Sequence, residues 1–350
     1  MYMLMFSLRS LHFRNFRIRS SLNSKRTFFN LTTTTMVNNF DYIPHISGNL
    51  LPYLMAIILS STLSDDNCDG YQHSIHKPPL EVYKSSGAGF GVRASRDIER
   101  GELLLSETPI LVWENGTPSV QMKKLTDELS PEARKKLFSL SSRNDQLAIE
   151  AEEKDPVDES ANIRSANGFE VQLPSIDVPF MSKDVKIPSS ASFLFYNISR
   201  INHSCLPSCG HGMDFPRLRM EIFAMKDIKK GEEITIEYLP NLIGMTSNER
   251  ISKIKDTFGF DCQCCLCTSP LEERAKSDDR RRFITDSVRD LHKGSLNRKE
   301  MVNVMESIRS VLKEEQYNVL PEFEFDNISK AYSVFIQMKS MQENSNNDNK

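Results

Sequence analysis

Arg200-Ile201-Asn202-His203-Ser204-Cys205 is the stretch on which the fold turns. An asparagine amide brings two donors and an acceptor, which must all find partners once buried. An Asn-His pair in a turn is usually structural when it stands alone, so its company decides. Downstream lies Phe258-Gly259-Phe260-Asp261-Cys262-Gln263-Cys264-Cys265-Leu266-Cys267. Of the chain's 7 cysteines only Cys68 stands apart; Cys205, Cys209 and these four fall in one region. Four thiols packed this tightly reach bridging geometry with one another poorly, and an odd total is a poor disulfide framework. Cys262, Cys264 and Cys267 form Cys-x-Cys-x-x-Cys, spacing that suits thiolate ligands for zinc in a reducing compartment. Cys265 fits that spacing less well, and Cys209 reads as a small buried side chain.

Outward from these, Gly87-Ala88-Gly89-Phe90-Gly91-Val92 lies near the start of the ordered text, followed by Ile98-Glu99-Arg100-Gly101-Glu102. Glycines at alternate positions let a backbone turn sharply and approach a ligand. Alone, such a run is more often a hairpin turn. Gly231-Glu232-Glu233-Ile234-Thr235-Ile236-Glu237-Tyr238 is a strand-like segment ending in a tyrosine.

These segments, in this order over residues 80 to 268, resemble the SET-domain signature of protein-lysine methyltransferases. The pattern is similar to the split-SET enzymes of the SET-and-MYND kind and their fungal relatives. The resemblance implies an α+β fold: short SET-type sheets, a helical insert, a zinc-bound post-SET segment and a helical C-terminal extension. It implies S-adenosylmethionine as cofactor, its methionine end held by the main chain at Ala88, Gly89 and Phe90. Asn202 and His203 would bind the cofactor too, with Asn167 as a further contact and Phe260 stacking on adenine. Phe258 would close the lysine channel, and Cys205 would complete the zinc site with Cys262, Cys264 and Cys267. Four thiolates leave no open position, so that zinc would be structural.

Tyr238 is the expected catalytic residue. Methyl transfer to an amine is an in-line displacement in which positive charge passes from sulfur to nitrogen. It needs alignment at close range and a site shaped for that charge. It also needs a neutral lysine, against an ordinary pKa near 10.4, and a narrow apolar channel favours the neutral form by desolvation. A tyrosine hydroxyl at the end of such a channel can orient both partners.

The chain departs from the family pattern in three ways. Between Glu107 and Phe193 there is no Cys or His, so the MYND finger is expected to be absent. Phe90 replaces a basic residue common in the glycine loop, and Ser208 stands where asparagine is usual.

The rest is coarser. Strands are expected at Leu80 to Tyr83, Gly91 to Ala94, Glu102 to Glu107, Ile110 to Trp113, Phe169 to Leu173, Leu218 to Ala224 and Ile234 to Leu239. Helical periodicity runs from Val120 to Leu140, with Ser130-Pro131-Glu132 opening a second helix, and residues 142 to 165 form a polar linker with weak helix. Thr246-Ser247-Asn248-Glu249 is a capping-box signature. Helices then follow at Leu271 to Leu291, Arg298 to Glu315 and Glu322 to Met341. The expected domains are a mostly disordered extension over 1–77, with ordered structure from Pro78, and a SET domain over 78–245 whose insert covers about 114–190. A post-SET zinc segment over 246–268, a helical extension over 269–343 and a tail over 344–350 follow.

The first forty residues hold no Asp or Glu but carry Arg9, Arg14, Arg17, Arg19, Lys25 and Arg26. This fits a mitochondrial transit peptide, an unstructured tail, or an extension before a start at Met36, and the sequence leaves these level. Cytoplasm, nucleus and mitochondrion stay open accordingly. The apolar run Leu50 to Leu63 contains Pro52 and is too short to span a bilayer. A net charge of −3 over 350 residues argues against a nucleic-acid partner. The expected partner is a protein carrying a target lysine, histone or non-histone, met by a monomer. The competing reading is a catalytically inactive SET-domain binding or scaffold protein.

Overall fold

The computed structural model describes residues 45, 46, 50, 54, 78–85, 89–141, 160–173, 188–239, 242–293 and 296–316. Eleven strands fall among them: β1 (His45–Ile46), β2 (Leu80–Ser85), β3 (Gly89–Ala94), β4 (Leu103–Glu107), β5 (Leu111–Glu114), β6 (Gly168–Gln172), β7 (Ser190–Leu194), β8 (Asn202–His203), β9 (Cys209–Asp214), β10 (Arg219–Ala224) and β11 (Glu233–Ile236). They form three small sheets, ordered β1-β5-β7-β6, β4-β10-β9 and β2-β3-β11-β8. Along β10 buried side chains alternate with half-buried ones, as a strand with one face on a core requires. The main core lies between the sheets, with Val92, Leu104, Phe193, Phe195, Ile222, Ile234 and Ile236 at its centre.

Helices cover the sheets on two sides. The insert supplies α1 (Ser119–Asp127), α2 (Pro131–Phe138) and α3 (Ala161–Asn167). Ser130 caps α2 as its sequence foretells, its hydroxyl accepting from the Ala133 amide at 3.2 Å with Pro131 in the first turn. These helices bury Met122, Ala133, Leu137 and Ile163 in a second core beside Leu111 and Leu194.

The C-terminal side carries α4 (Ser247–Phe258), the short α5 (Cys265–Thr268), α6 (Leu271–Lys293) and α7 (Arg298–Glu314). The expected capping box opens α4, the Glu249 carboxylate accepting from the Thr246 amide at 2.7 Å. Ile284, Ile308 and Leu312 from α6 and α7 share a core with Met225 and Ile243. The extension therefore packs directly on the sheet body. The expected helix from Glu322 to Met341 lies outside the described residues, as do the basic first forty residues.

One expectation needs correction, and one strand carries no sequence signal. Ordered structure does not begin at Pro78: β1 pairs in parallel with β5, and Leu50 and Leu54 are fully buried in the main core. Burying these leucines rewards ordering a segment whose polar flanks gave no strand signal. Helix α3 falls at the end of the polar stretch 142–165, where weak helix is expected, and runs on to Asn167. β9 went unread because Cys209-Gly210-His211-Gly212 lacks strand formers. Gly210 lies opposite Phe223 on β10, and a Cβ there would come within 2.7 Å of that ring. The glycine leaves room for the aromatic and is required by packing rather than by a turn.

Candidate functional site

The site is assembled around β8. This two-residue strand pairs in parallel with β11, Asn202 opposite Thr235 and His203 opposite Ile236. Ser204 continues the contact, its amide donating to the Ile236 carbonyl at 3.1 Å. Ser208 closes it: its buried hydroxyl accepts from the Thr235 amide at 2.9 Å. A serine at this position thus supplies a working bond to β11.

A residue that sequence reasoning missed sets the approach to β8. Glu107, at the end of β4, takes the backbone amides of Asn197 and Ile198, each at 2.9 Å, and the Asn197 side-chain amide at 2.9 Å. The two backbone amides are orphan donors at the start of the 3-10 turn Ile198–Arg200, which leads straight into β8. Burial pushes the Glu107 carboxyl up, and this ring of donors pulls it part of the way back. No local signal marks it, because its partners lie 90 residues away along the chain.

The side chains of β8 point to opposite sides, as strand geometry demands. Asn202 donates its amide to Glu233 at 2.8 Å on the side of Gly91. His203 faces Tyr238, their ring centroids 5.2 Å apart. Nδ1 of His203 accepts the Tyr238 backbone amide at 3.2 Å, so the proton of the neutral ring resides on Nε2, which lies 3.4 Å from the Cys205 sulfur. Burial drives His203 down to about 4, which keeps it neutral at physiological pH.

Four rings close a circuit here. Tyr238 meets Phe258 edge-on at 5.2 Å, Phe258 meets Phe260 at 6.3 Å, and Phe260 returns to His203 at 6.3 Å. Gly259 makes this possible: at φ 76° it ends α4 in the left-handed region and turns the two phenylalanines to one side. The Tyr238 hydroxyl donates to the Ile201 carbonyl at 2.8 Å. Burial, helped by the charge of Glu233, pushes this phenol well above its ordinary range. Tyr238 therefore keeps its proton at any physiological pH.

The other expected contacts gather near Ser141 and Arg200. Asn167 is buried at the end of α3, both amide hydrogens spent on the Ser141 and Ile163 carbonyls at 2.7 Å. A Cβ on Gly89 would lie 3.8 Å from the Ser141 hydroxyl, which places the end of the glycine loop in the same neighbourhood. Phe90 is exposed, with the Arg200 guanidinium 5.6 Å above its ring. Ala88 lies outside the described residues.

Behind His203, the sulfurs of Cys205, Cys262, Cys264 and Cys267 all lie within 4.8 Å of one another. Cys205 is 3.9 Å from Cys262 and 3.6 Å from Cys267, far beyond a disulfide bond of about 2.0 Å. A tetrahedron built on metal–sulfur bonds of about 2.3 Å sets its sulfurs roughly 3.8 Å apart. The four thiols thus have the spacing to hold a metal ion, and an all-thiolate set suits zinc. Hydrogen bonds from Cys205, Cys262 and Cys267 hold Cys264 far below the usual thiol range, while the same contacts push Cys205 far above it. Cys265 is exposed and outside the set; Cys209 is buried in the main core.

Residues 89–239 match the family model of the SET domain. The chain is 43% identical to human histone-lysine N-methyltransferase SMYD3 over 74 residues, 21% of this chain and 16% of that protein. It is 33% identical to histone-lysine N-methyltransferase set5 of Schizosaccharomyces pombe over 105 residues, 30% of this chain and 32% of that protein. With human N-lysine methyltransferase SMYD2 it shares 28% identity over 102 residues, 29% of this chain and 23% of that protein. Residues 89–239 are thus similar to the SET domain, with local homology to SMYD and set5 lysine methyltransferases, and the matches span less than a third of these relatives' lengths. Among the described residues, no helix is long and apolar enough to cross a membrane.

Proposed function

We propose that this protein transfers a methyl group from S-adenosylmethionine to a lysine side chain of a protein substrate. The observation that carries the reading is the closed circuit of His203, Tyr238, Phe258 and Phe260, with the Tyr238 hydroxyl fixed on the Ile201 carbonyl. When bound, S-adenosylmethionine supplies a methyl group on a positively charged sulfur.

The chain's own residues would do the rest. Phe258 desolvates the incoming amine and favours its neutral, nucleophilic form. Tyr238 keeps its proton, so it orients rather than acts as base, and the lysine gives up its proton to solvent before entering. A neutral His203 adds no positive charge beside a reaction that carries one. The faces of the rings favour the cation that moves between them. Asn202, His203, Asn167, the Phe260 ring and the backbone of Ala88, Gly89 and Phe90 are the proposed cofactor contacts. Cys205, Cys262, Cys264 and Cys267 are the proposed ligands of a structural zinc, which would tie the segment carrying Phe260 to β8.

One observation favours the alternative of an inactive binding or scaffold module. The amides of Asn202 and Asn167 already donate to Glu233, Ser141 and Ile163 within the chain. Label transfer from S-adenosylmethionine into histones and a whole-cell lysate separates the two, with Tyr238→Phe alongside. Transfer to lysine that falls at least a hundredfold in the mutant supports the enzyme. Tight cofactor binding without transfer supports the scaffold, and a folded, zinc-loaded protein that binds no cofactor defeats the enzyme reading.

A further inference from the structure

Two arginines in the α4–α6 interface are completely buried, a rare placement for a group that never gives up its charge. Arg250 donates from Nη1 to the Met245 carbonyl at 2.6 Å, but its Nε and Nη2 have no partner among the described residues. Arg281 donates from Nε to Glu315 at 2.8 Å and from Nη1 to the Leu242 carbonyl at 3.0 Å, leaving Nη2 without a partner among the described residues. Glu315 is shared further, since Arg280 also holds it at 2.6 Å. Of the other carboxylates nearby, Asp278 spends its oxygens on Ser247, and Glu237 gives one to the Leu242 amide. Glu315 is thus shared between Arg280 and Arg281, and the printed partner of Arg250 is a neutral carbonyl, so the buried pair carries more positive charge than its direct contacts offset.

Buried charge without a counter-charge is costly, and such sites are kept only where something of opposite sign is near. What lies near is the thiol cluster. Leu242, whose carbonyl Arg281 caps, packs in one apolar cluster with Cys205, Cys262 and Cys267, and α4 lends Ile251 and Ile254 to it. Burial and the neighbouring Arg250 lower the Arg281 guanidinium, while Glu315 and Cys205 raise it. A divalent ion inside four thiolates is a dianion, sealed from water on this side by the same leucine and isoleucines.

We propose that Arg250 and Arg281 are the counter-charges of the four-thiolate metal centre, holding its net negative charge in place from the C-terminal helices. The inference rests on the zinc reading of Cys205, Cys262, Cys264 and Cys267. It gives the helical extension a role beyond cover: α6 stabilises a metal centre to which it contributes no ligand.

The test uses the full chain, loaded with Zn2+ and titrated against a chromophoric chelator. Arg281→Gln and Arg250→Met should each weaken zinc binding about tenfold or more, the usual cost of losing a group that supports metal ligands. Arg281→Lys, which keeps the charge but not the fork, should stay within about threefold of wild type. Melting of the metal-free proteins separates this from a packing role. An electrostatic partner of the metal leaves the metal-free melt unchanged or raised in Arg250→Met, because the repulsion it relieves is felt only without the ion. Should Arg250→Met fail to fold, the Lys and Gln variants of Arg281 decide alone. Zinc affinity within twofold of wild type in the charge-removing variants overturns the inference, as does equal weakening in Lys and Gln. Wild-type protein that takes up no zinc overturns the zinc reading itself and this inference with it.

Discussion

Gly91→Ala is a sharp test of how the site is held. Gly91 is not in the left-handed region, so alanine meets no backbone penalty there. The obstacle is space: a Cβ would stand 2.8 Å from Nδ2 of Asn202 and 3.0 Å from both Oε1 of Glu233 and the Tyr83 ring. All three contacts are shorter than ordinary van der Waals separation. Tyr83 lies directly opposite on β2 and has little freedom, so the Asn202–Glu233 pair must give way. Overpacking of this kind costs about 1–3 kcal/mol, and a hydrogen bond to a charged group is worth about 1.5–3 kcal/mol if it breaks. Alanine returns about 0.4–1 kcal/mol by restricting the unfolded chain. With the pair broken, a net loss of about 1.5–5.5 kcal/mol follows, seen as a fall in Tm of roughly 3–20 °C. Calorimetric titration with S-adenosylmethionine should show Kd rising about tenfold, the equivalent of 1.4 kcal/mol. Gly101→Ala is the control, since Gly101 sits at φ 90° in open space and its substitution strains only the backbone. It should lower Tm while leaving cofactor affinity alone. Wild-type Tm and affinity in Gly91→Ala would refute the idea that close packing on Gly91 fixes Asn202.

Three further outcomes are expected. Chelation of zinc, or Cys262→Ser, should lower the melting transition and expose residues 259–268 to hydrogen exchange first, because the metal would link them to β8; an exchange pattern identical with and without metal defeats the structural-zinc reading. Glu107→Gln removes a charged acceptor from the amides of Asn197 and Ile198, and should cost about 1–3 kcal/mol in urea titration while weakening cofactor binding; loss of stability with unaltered binding would mean that the 3-10 turn does not position β8. His211 is driven down to about 4 by burial, so on acidification the unfolded chain takes up its proton first. Stability should be lost as pH falls from about 6.5 to 4, by up to about 3 kcal/mol, and His211→Gln should flatten that slope; an unchanged slope assigns the acid sensitivity elsewhere.

Much of this molecule could be read without coordinates, and the reason is locality. Ser130-Pro131 at the start of α2 and Thr246 with Glu249 at the start of α4 act on backbone amides within one turn. Cys262, Cys264 and Cys267 are neighbours in the chain, so their spacing alone suggested thiolate ligands. Asn202, His203, Tyr238, Phe258 and Phe260 were legible as parts of motifs, and the fold gathers the last four into one ring circuit. Tertiary structure alone decided whatever depends on chain segments meeting from afar. Glu107 owes its task to a turn on another strand. Gly91 is constrained by the side chains of Asn202 and Glu233 rather than by its own φ. Arg250 and Arg281 look in the sequence like solvated helix charges, and only the stacking of α4, α6 and the thiol segment buries them. A sequence records which groups a chain carries, but burial and opposition of charge arise from long-range packing, and those set what a buried group costs and what it must face.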